Sequence, residues 1–383
     1  MNTLINFNKA KIKFLSYGGV SGGVLCILLA LGSTTFAQQK FNVQSGAKTE
    51  FYNTFEAALQ QAQAGDTIYL PSGLASSQQP IVIDKKLVIV GVGGELSSTI
   101  MPTRIEQNIT FTENASGSLL TGCRIINSNI DIGVDAVVQN ISLVRNYIIS
   151  SEVLDINIFE GSSTIFIREN FIHSSISSSQ TNTIRIISNP ATTTNPPTQC
   201  FIENNIFYTS GIYGGTISCV LIGIITDSYI LNNVFRHQNA GSTTSIRLGG
   251  LSFSTVQNNY FMNLNASDLG NNNIYNNNAT AQVNTITFPN GTNTGSNNLF
   301  NQSWANTFGG TDPLSPASYQ LRIDSPCVGE GIDGTDIGVF GGIAPFKEGM
   351  KPFNPYIQTY YINSQSNMGG FLPVKLEVEA QDR

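Results

Sequence analysis

Short apolar runs of three to six residues, broken by Asn, Ser, Gly and Thr, fill most of the chain. Residues 164–167 and 220–224 are examples, and their content of Ile, Val and Phe is typical of β-strands. The apolar spacing of i, i+3 and i+4 that a long amphipathic helix requires does not appear across this region. The pattern therefore predicts an all-β chain of short strands.

A four-residue phrase, in which Asn precedes a bulky apolar residue, repeats along the chain. It occurs as RNYI at 145–148, ENFI at 169–172, NNIF at 204–207, NNVF at 232–235, NNYF at 258–261 and NNLF at 297–300. From the last Asn of one phrase to the next, the steps are 24, 35, 28, 26 and 39 residues. Such a period predicts a parallel β-helix, in which each coil contains three short strands. The two longest steps indicate coils that carry loops, such as 189–197 and 263–284, or coils whose phrase has decayed.

The repeated Asn has two expected roles. Asn tolerates the left-handed backbone better than other non-glycine residues, so it suits a tight turn. When it is stacked on its equivalents in neighbouring coils, its side-chain amide donates and accepts along a ladder. We expect the apolar residue that follows to point into the core and to stack on its own equivalents.

Two further stretches support a solenoid with closed ends. Residues 54–73 contain a short amphipathic helix with Phe55, Leu59 and Ala62 on one face, followed by a Gly-Asp-Thr-Ile turn. Residues 324–331 and 333–338 read DSPCVGEG and DGTDIG. Together with the repeat, these stretches resemble the N-terminal cap and the closing coil of the pectin-lyase-like superfamily, notably secreted proteins of the Bacteroidetes kind. The resemblance implies a right-handed parallel β-helix with a short N-terminal capping helix.

The two ends of the chain differ from this body. Residues 1–37 have a basic start, an apolar stretch and the small residues of a cleavage site, which predicts a signal peptide. Cys26 raises the alternative of a lipoprotein, but Leu25 stands where that signal requires a small residue. We expect the β-helix and its cap to span 38–344. Residues 345–383 predict a β-hairpin around a Gly-Gly turn, which either covers the end of the solenoid or docks to a partner.

The charge of the chain excludes some partners. Residues 1–37 hold three of the 19 basic residues and no acidic residue, so the mature chain has 16 basic and 25 acidic residues, a net charge of −9. This balance argues against binding to nucleic acid and to anionic lipid surfaces. No stretch after the signal peptide has the roughly 18 uninterrupted apolar residues needed to span a bilayer. We expect an exported monomer that is periplasmic, exposed on the cell surface or extracellular.

Four cysteines remain after cleavage, namely Cys123, Cys200, Cys219 and Cys327. An exported chain with this number permits two disulfides with three connectivities. The favoured alternative is that each cysteine fills an inward position as a small apolar residue.

The residues that catalysis on polysaccharides requires are scarce in the body of the chain. Lyases of the resembled superfamily need a base and a cation to hold the enolate, and its hydrolases use a group of Asp residues on one face. No lysine occurs between Lys86 and Lys347, and Asp-Asp, Gly-His-Gly and Arg-x-Lys motifs are absent. We therefore carry over no active site from the superfamily.

One constellation remains as a candidate catalytic site, formed by Arg168, Glu169, His173, Arg236 and His237. The two histidines follow their repeated Asn by three and four residues, so they occupy similar places in different coils. Such a group could bind the carboxylate of a uronic acid and move a proton. The alternative, which we favour, is that these are solvated turn residues and surface ion pairs.

Other candidates are weaker. Asp333 and Asp336, and less strongly Asp131 and Asp135, offer oxygen ligands for Ca²⁺, although turns that close a coil explain them as well. Aromatic residues of the repeated phrase are better explained as core, so Tyr208 and Tyr213, which lie near a loop, are the candidates for stacking on a sugar. The leading prediction is a non-catalytic protein that binds a glycan or a cell-surface protein. The alternatives are a polysaccharide lyase or glycoside hydrolase with an atypical site, or a structural spacer.

Overall fold

The computed structural model describes residues 40–75, 79–94, 101–175, 182–189, 194–210, 217–238, 244–282, 288–362 and 374–381. The predicted signal peptide (1–37), Tyr213 and the predicted Gly-Gly turn of the hairpin lie outside these residues. Within them, strands stack into long parallel ladders, and the few helices are short. The predicted all-β parallel β-helix is confirmed.

The described strands of the solenoid form three sheets, which we call A, B and C. Sheet A contains β1 (Phe41–Ser45), β2 (Lys48–Tyr52), β3 (Thr67–Tyr69), β6 (Val88–Val90), β9 (Leu119–Thr121), β12 (Ser142–Val144), β15 (Ser163–Arg168), β18 (Thr198–Glu203), β21 (Ile225–Thr226), β22 (Tyr229–Leu231), β25 (Leu251–Ser252), β26 (Thr255–Gln257), β28 (Ile274–Asn276) and β30 (Thr294–Ser296). Sheet B contains β4 (Gly73–Leu74), β7 (Thr103–Ile105), β10 (Cys123–Ile126), β13 (Tyr147–Ser150), β16 (Phe171–Ser174), β19 (Ile206–Thr209), β23 (Val234–His237), β27 (Tyr260–Phe261) and β29 (Ala279–Thr280). Sheet C contains β5 (Ile81–Ile83), β8 (Ile109–Phe111), β11 (Ile130–Ile132), β14 (Leu154–Phe159), β17 (Asn182–Asn189), β20 (Ile217–Gly223) and β24 (Thr244–Arg247).

Up to β24, successive described coils visit the three sheets in turn, and paired strands keep the register from coil to coil apart from a shift between Ser218 and Val220. In sheet A, for example, Leu143 pairs with Ile167, which pairs with Ile202. Alternate residues of each strand point into the coil, so these aligned positions form columns of buried Ile, Leu and Val. The positions between them point outward and form the three outer faces of the solenoid.

The repeated Asn ladder is present, and the structure divides its two expected roles between adjacent residues. The last Asn of each phrase is buried except Asn298, which is half-buried. The Nδ2 of each donates to the Oδ1 of the next at 3.0–3.2 Å, through Asn146, Asn170, Asn205, Asn233, Asn259, Asn278 and Asn298. The left-handed conformation belongs instead to the residue before it, with φ between 52° and 57° at Arg145, Glu169, Asn204, Asn232, Asn258, Asn277 and Asn297. Asn278 divides the step of 39 residues into two coils, which the sequence phrase does not reveal. The step of 35 is one coil, because Asn170 pairs directly with Asn205.

The residue directly after the ladder Asn does not point into the core, and that expectation is wrong. The inward residue is the next one along, and Phe207, Phe235 and Phe261 stack in this column with centroids 4.7 and 5.0 Å apart. The residue directly after the Asn belongs to a second apolar cluster on the outside of sheet B, through Tyr147, Phe171, Ile206, Val234, Tyr260 and Ala279. Side chains from the end of the chain bury it.

The covering chain is residues 301–352, which we call the C-terminal segment. It contains α2 (Trp304–Thr307) and the 3-10 helices Pro316–Tyr319, Ile332–Gly334 and Glu348–Met350. It buries Phe308, Tyr319, Cys327, Ile337, Val339, Phe346 and Met350 against sheet B. The segment also runs along the turns between sheets A and B, from the last coils towards the first. Its backbone bonds to the side chains of four turn residues, in the pairs Glu330–Asn277, Ile332–Asn258, Val339–Asn204 and Lys351–Arg145. The phrases at 324–338 therefore do not form the expected closing coil but lie alongside earlier coils.

The two ends of the described chain carry the predicted accessory elements. Helix α1 (Phe55–Gln61) begins at Thr54, whose hydroxyl accepts from Ala57 N, and it buries Phe55 and Ala58 in the core. A further 3-10 helix spans Glu113–Ala115. At the other end β31 (Tyr356–Ile362) and β32 (Val374–Glu379) pair antiparallel as the expected hairpin. The base of the hairpin lies beside sheet B, because Arg145 Nη1 donates to the backbone oxygen of Gln381. It does not lie at the end of the solenoid, which β30 closes.

The cysteines fit the apolar alternative as far as they are described. Cys123, Cys200 and Cys327 are free and buried, the first two inside the coils and Cys327 in the cluster outside sheet B. Burial raises the pKa of each of these thiols to about 12. The side chain of Cys219 lies outside the described set. None of the described helices has the length and apolar character needed to cross a membrane.

Candidate functional site

The predicted catalytic constellation is brought together only in part, because His173 and Arg236 lie in one column of sheet B on either side of Tyr208, whereas its other members lie elsewhere. Arg168 lies on the outer face of sheet A, where its Nε is 2.6 Å from Glu203 Oε2 and its guanidinium lies 4.4 Å from the ring centroid of Phe166. Glu169 is in the turn between sheets A and B and forms an ion pair with Arg145 at 2.7 Å. The Arg145 side chain is only 1% exposed, so the pair sits beneath the C-terminal segment. Each of these candidates thus has a structural partner.

His173 occupies a different place, on the outer side of sheet B. Its Nε2 is 2.8 Å from Ser210 Oγ, and its ring stacks on Tyr208 with centroids 4.9 Å apart. Burial, assisted by the charge of Arg124, lowers the pKa of His173 to about 4. An imidazole with this pKa is neutral at pH 7 and is a weak base, so it is poorly matched to proton transfer under neutral conditions.

Tyr208 and the remaining residues of the group support the same conclusion. Tyr208 is 2% exposed and has no open ring face for a sugar, so its predicted stacking role is wrong. Arg236 lies beyond Tyr208 in the same column, and its guanidinium is 4.0 Å from the ring centroid of Trp304 in the C-terminal segment. The next residue along the strand, His237, is buried on the opposite side of sheet B.

The candidate calcium ligands also separate. Asp336 Oδ1 accepts from Gly329 N at 2.9 Å, which is the bond of a closing turn. The side chain of Asp333 lies outside the described set. Asp131 is on a strand of sheet C, whereas Asp135 is in the following turn with φ of 60°. Among the described residues, no group of three or more His, Cys, Asp and Glu side chains is placed to hold a metal ion.

The three outer faces differ in what they offer to a ligand. Sheet B is covered by the C-terminal segment from Tyr147 to Ala279. Sheet A carries a partly exposed ladder of aromatic rings, in which Phe201 stacks on Phe166 at 4.9 Å and on Tyr229 at 5.1 Å. The rings in this ladder cover one another's faces, which leaves mainly their edges at the surface. Sheet C is the polar face.

The described strands of sheet C direct four charged side chains outward, namely Asp131, Asp155, Arg185 and Arg247. Arg185 makes a two-point ion pair with Asp155 of the preceding coil, with Nε 2.5 Å from Oδ1 and Nη2 paired with Oδ2. This contact also raises the pKa of Arg185. One strand earlier, Asn157 Nδ2 donates to Asp131 Oδ1 at 2.7 Å. Two coils beyond Arg185, a second ion pair joins Arg247 to Asp268.

The strand register explains why these side chains lie close together. Asp155, Arg185, Leu221 and Arg247 occupy one outward column on four successive strands. Asp268 reaches Arg247 from the loop after sheet B, and a Cβ on Gly249 would fall 1.6 Å from its Oδ1. A side chain at position 249 would displace the Asp268 carboxylate from this place. The result is a shallow surface of paired carboxylate and guanidinium groups that spans about 14 Å along the coils, at about 4.8 Å per strand.

Our sequence reasoning missed this face, although a signal for it exists. Each of three outward charges stands alone between two apolar residues, in the triplets LDI at 154–156, IRI at 184–186 and IRL at 246–248. An alternating strand with one buried face produces such triplets. The repeated phrase marks the turns between sheets A and B and carries no information on these triplets.

Comparisons of the chain with models of protein families, with curated protein sequences and with solved structures yield no match.

Proposed function

We propose that this protein is an exported, non-catalytic glycan-binding protein of the pectin-lyase-like kind, and that its ligand lies on the outer face of sheet C. The observation that carries the proposal is the array of paired carboxylate, amide and guanidinium groups on successive coils. Sugar hydroxyl groups both donate and accept hydrogen bonds, and these pairs offer both functions on one surface. A monomer that is periplasmic, on the cell surface or extracellular fits the leader-like start and the acidic balance of the chain.

The state of the candidate groups supports a non-catalytic role. Arg168, Glu169 and Arg236 are each occupied by a partner within the protein. His173 is buried and has a low pKa. The body also lacks the lysine that a lyase would use as a base. No cofactor is part of the proposal.

A glycoside hydrolase is the second candidate, because sheet C places two carboxylates on adjacent strands. Asp131 and Asp155 lie on adjacent strands and both point outward. An inverting or retaining hydrolase needs one such group kept protonated in an apolar setting. Asp155 is instead held in a two-point ion pair by Arg185, and Asp131 accepts from Asn157. This pairing favours binding over hydrolysis.

The test uses purified residues 38–383 and a panel of soluble polysaccharides. Affinity electrophoresis measures binding, while reducing ends and the absorbance of unsaturated ends measure turnover. We expect retardation by at least one glycan without product, with and without Ca²⁺. Product that disappears in Asp155→Asn would replace the binding proposal by the hydrolase. Failure to bind any member of the panel would contradict glycan binding and would favour a protein partner on the aromatic ladder of sheet A.

A further inference from the structure

We infer that the ligand is an uncharged polysaccharide, which lies along the direction in which the coils stack. This inference rests on the proposed function and adds the chemical class of the glycan and its orientation. It differs from the expectation of a uronic acid, in which Arg168 and Arg236 would grip a carboxylate. Those two arginines lie on different sheets and have other partners.

The charge of the face disfavours an acidic glycan. The described strands of sheet C direct two guanidinium groups outward, and Asp155 and Asp268 already pair with them. Asp131 adds a third carboxylate, which interacts with the neutral amide of Asn157. The face therefore carries one negative charge more than positive. A uronate would have to displace an aspartate from its arginine and would meet like charge, which is unfavourable.

The same pairs are well suited to neutral hydroxyl groups. A guanidinium has five N–H donors, and Asp155 occupies only Nε and Nη2 of Arg185. The Arg185 side chain remains 34% exposed, so further donors reach the surface. Each carboxylate also keeps lone pairs that can accept from a hydroxyl group. Because the ion pairs hold these side chains in place beforehand, binding loses less side-chain entropy than it would with free arginines.

The columns give the direction of the chain. Arg185 and Arg247 lie in one column with Leu221 between them, two strands apart. Leu221 is partly exposed and offers an apolar contact for the C–H face of a sugar ring between the two polar contacts. This polar–apolar–polar order runs across the strands, parallel to the stacking direction. An extended glycan along that direction meets all three groups, whereas one along a single strand meets one.

The experiment compares neutral glycans (mannan, xylan and mixed-linkage β-glucan) with acidic ones (polygalacturonate and alginate), by affinity electrophoresis and calorimetry. The test variant is the double substitution Asp155→Asn and Arg185→Gln, which leaves the net charge unchanged. The matched control is Glu203→Gln with Arg168→Gln, which removes the ion pair of similar exposure on sheet A. Thermal unfolding of both variants verifies that they are folded.

We expect binding of at least one neutral glycan, with little change between about 50 and about 500 mM NaCl, because no opposite charges are brought together. The double variant on sheet C should bind about tenfold more weakly, and the control should stay within about twofold. Binding of acidic glycans only, weakened by salt, would overturn the neutral class but leave glycan binding in place. Equal loss in both variants would overturn the location on sheet C, and binding of no glycan would overturn both proposals.

Discussion

At the scale of single residues, the buried Asn ladder shows why this side chain recurs. Asn233 accepts through Oδ1 from the backbone N–H and the Nδ2 of Asn205, and it donates through Nδ2 to Ile202 O and Asn259 Oδ1. A buried turn leaves these groups without water, so each of them needs a partner within the protein. An amide supplies two donors and an acceptor from one short side chain, whereas a hydroxyl group has one donor and a carboxylate has none.

We therefore predict that Asn233→Ala lowers the free energy of unfolding by about 3–5 kcal/mol, because it leaves several buried polar groups unpaired at once. Urea denaturation followed by circular dichroism measures this change. The control is Asn114→Ala at an exposed position, where we expect a change of no more than about 0.5 kcal/mol. A loss below about 1 kcal/mol at Asn233 would show that the ladder contributes little.

At the scale of elements, the C-terminal segment determines which faces of the solenoid are available. It buries an apolar strip on sheet B that includes Tyr147, Phe171, Ile206, Val234 and Tyr260. Burial of a large apolar side chain contributes about 1.5–3 kcal/mol, so this strip is worth roughly 10 kcal/mol. That sum is comparable to the whole stability of a typical domain. The segment is thus part of the fold.

Truncation tests this account. We predict that a chain of residues 38–300 exposes the strip, binds a hydrophobic dye and aggregates. A chain of residues 38–353, which lacks the hairpin but keeps the segment, should remain soluble and should not bind the dye. Size-exclusion chromatography and dye fluorescence separate the two outcomes. A soluble, dye-free 38–300 chain would mean that sheet B does not need its cover.

The contrast between fold and site has a physical cause. The coil period and the ladder were predictable, because a local phrase encodes each turn and the same turn recurs. The coil at Asn278 escaped detection since Ala279 and Thr280 replace the bulky residues of the phrase. The environment of Tyr208 was not predictable, because residues about 100 positions later bury it. The ion pairs of sheet C join residues 21 and 30 positions apart, and that pairing depends on loop lengths.

At the scale of the whole molecule, the C-terminal segment couples coils that would otherwise be independent. In a solenoid each repeat contacts only its neighbours, so the ends can unfold separately. Here the segment bonds to Asn258, Asn204 and Arg145, which are 74, 135 and 206 residues from their partners in sequence. These bonds connect late and early coils through one continuous chain. We therefore expect the protein to unfold as a single cooperative unit.

Two probes test whether the segment and the coils unfold together. Trp304 is the single tryptophan and lies in the C-terminal segment, so its fluorescence reports release of the segment. Circular dichroism reports unfolding of the coils. In the unaltered protein both signals should change at the same urea concentration. The double variant Asn204→Ala with Asn258→Ala removes the side-chain bonds to Val339 O, Gly341 O and Ile332 N. We predict that its fluorescence transition moves to lower urea than its circular dichroism transition.

The control for this variant is Asn272→Ala. Asn272 is exposed and has the same left-handed backbone, with φ of 56°, so alanine there is equally strained. Among the described residues its side chain makes no hydrogen bond to the segment, and the two transitions should therefore stay together. Coincident transitions in the double variant would show that apolar packing on sheet B alone couples the coils. Separation in the variant and not in the control would identify the bonds along the turns as the connection that unites the solenoid.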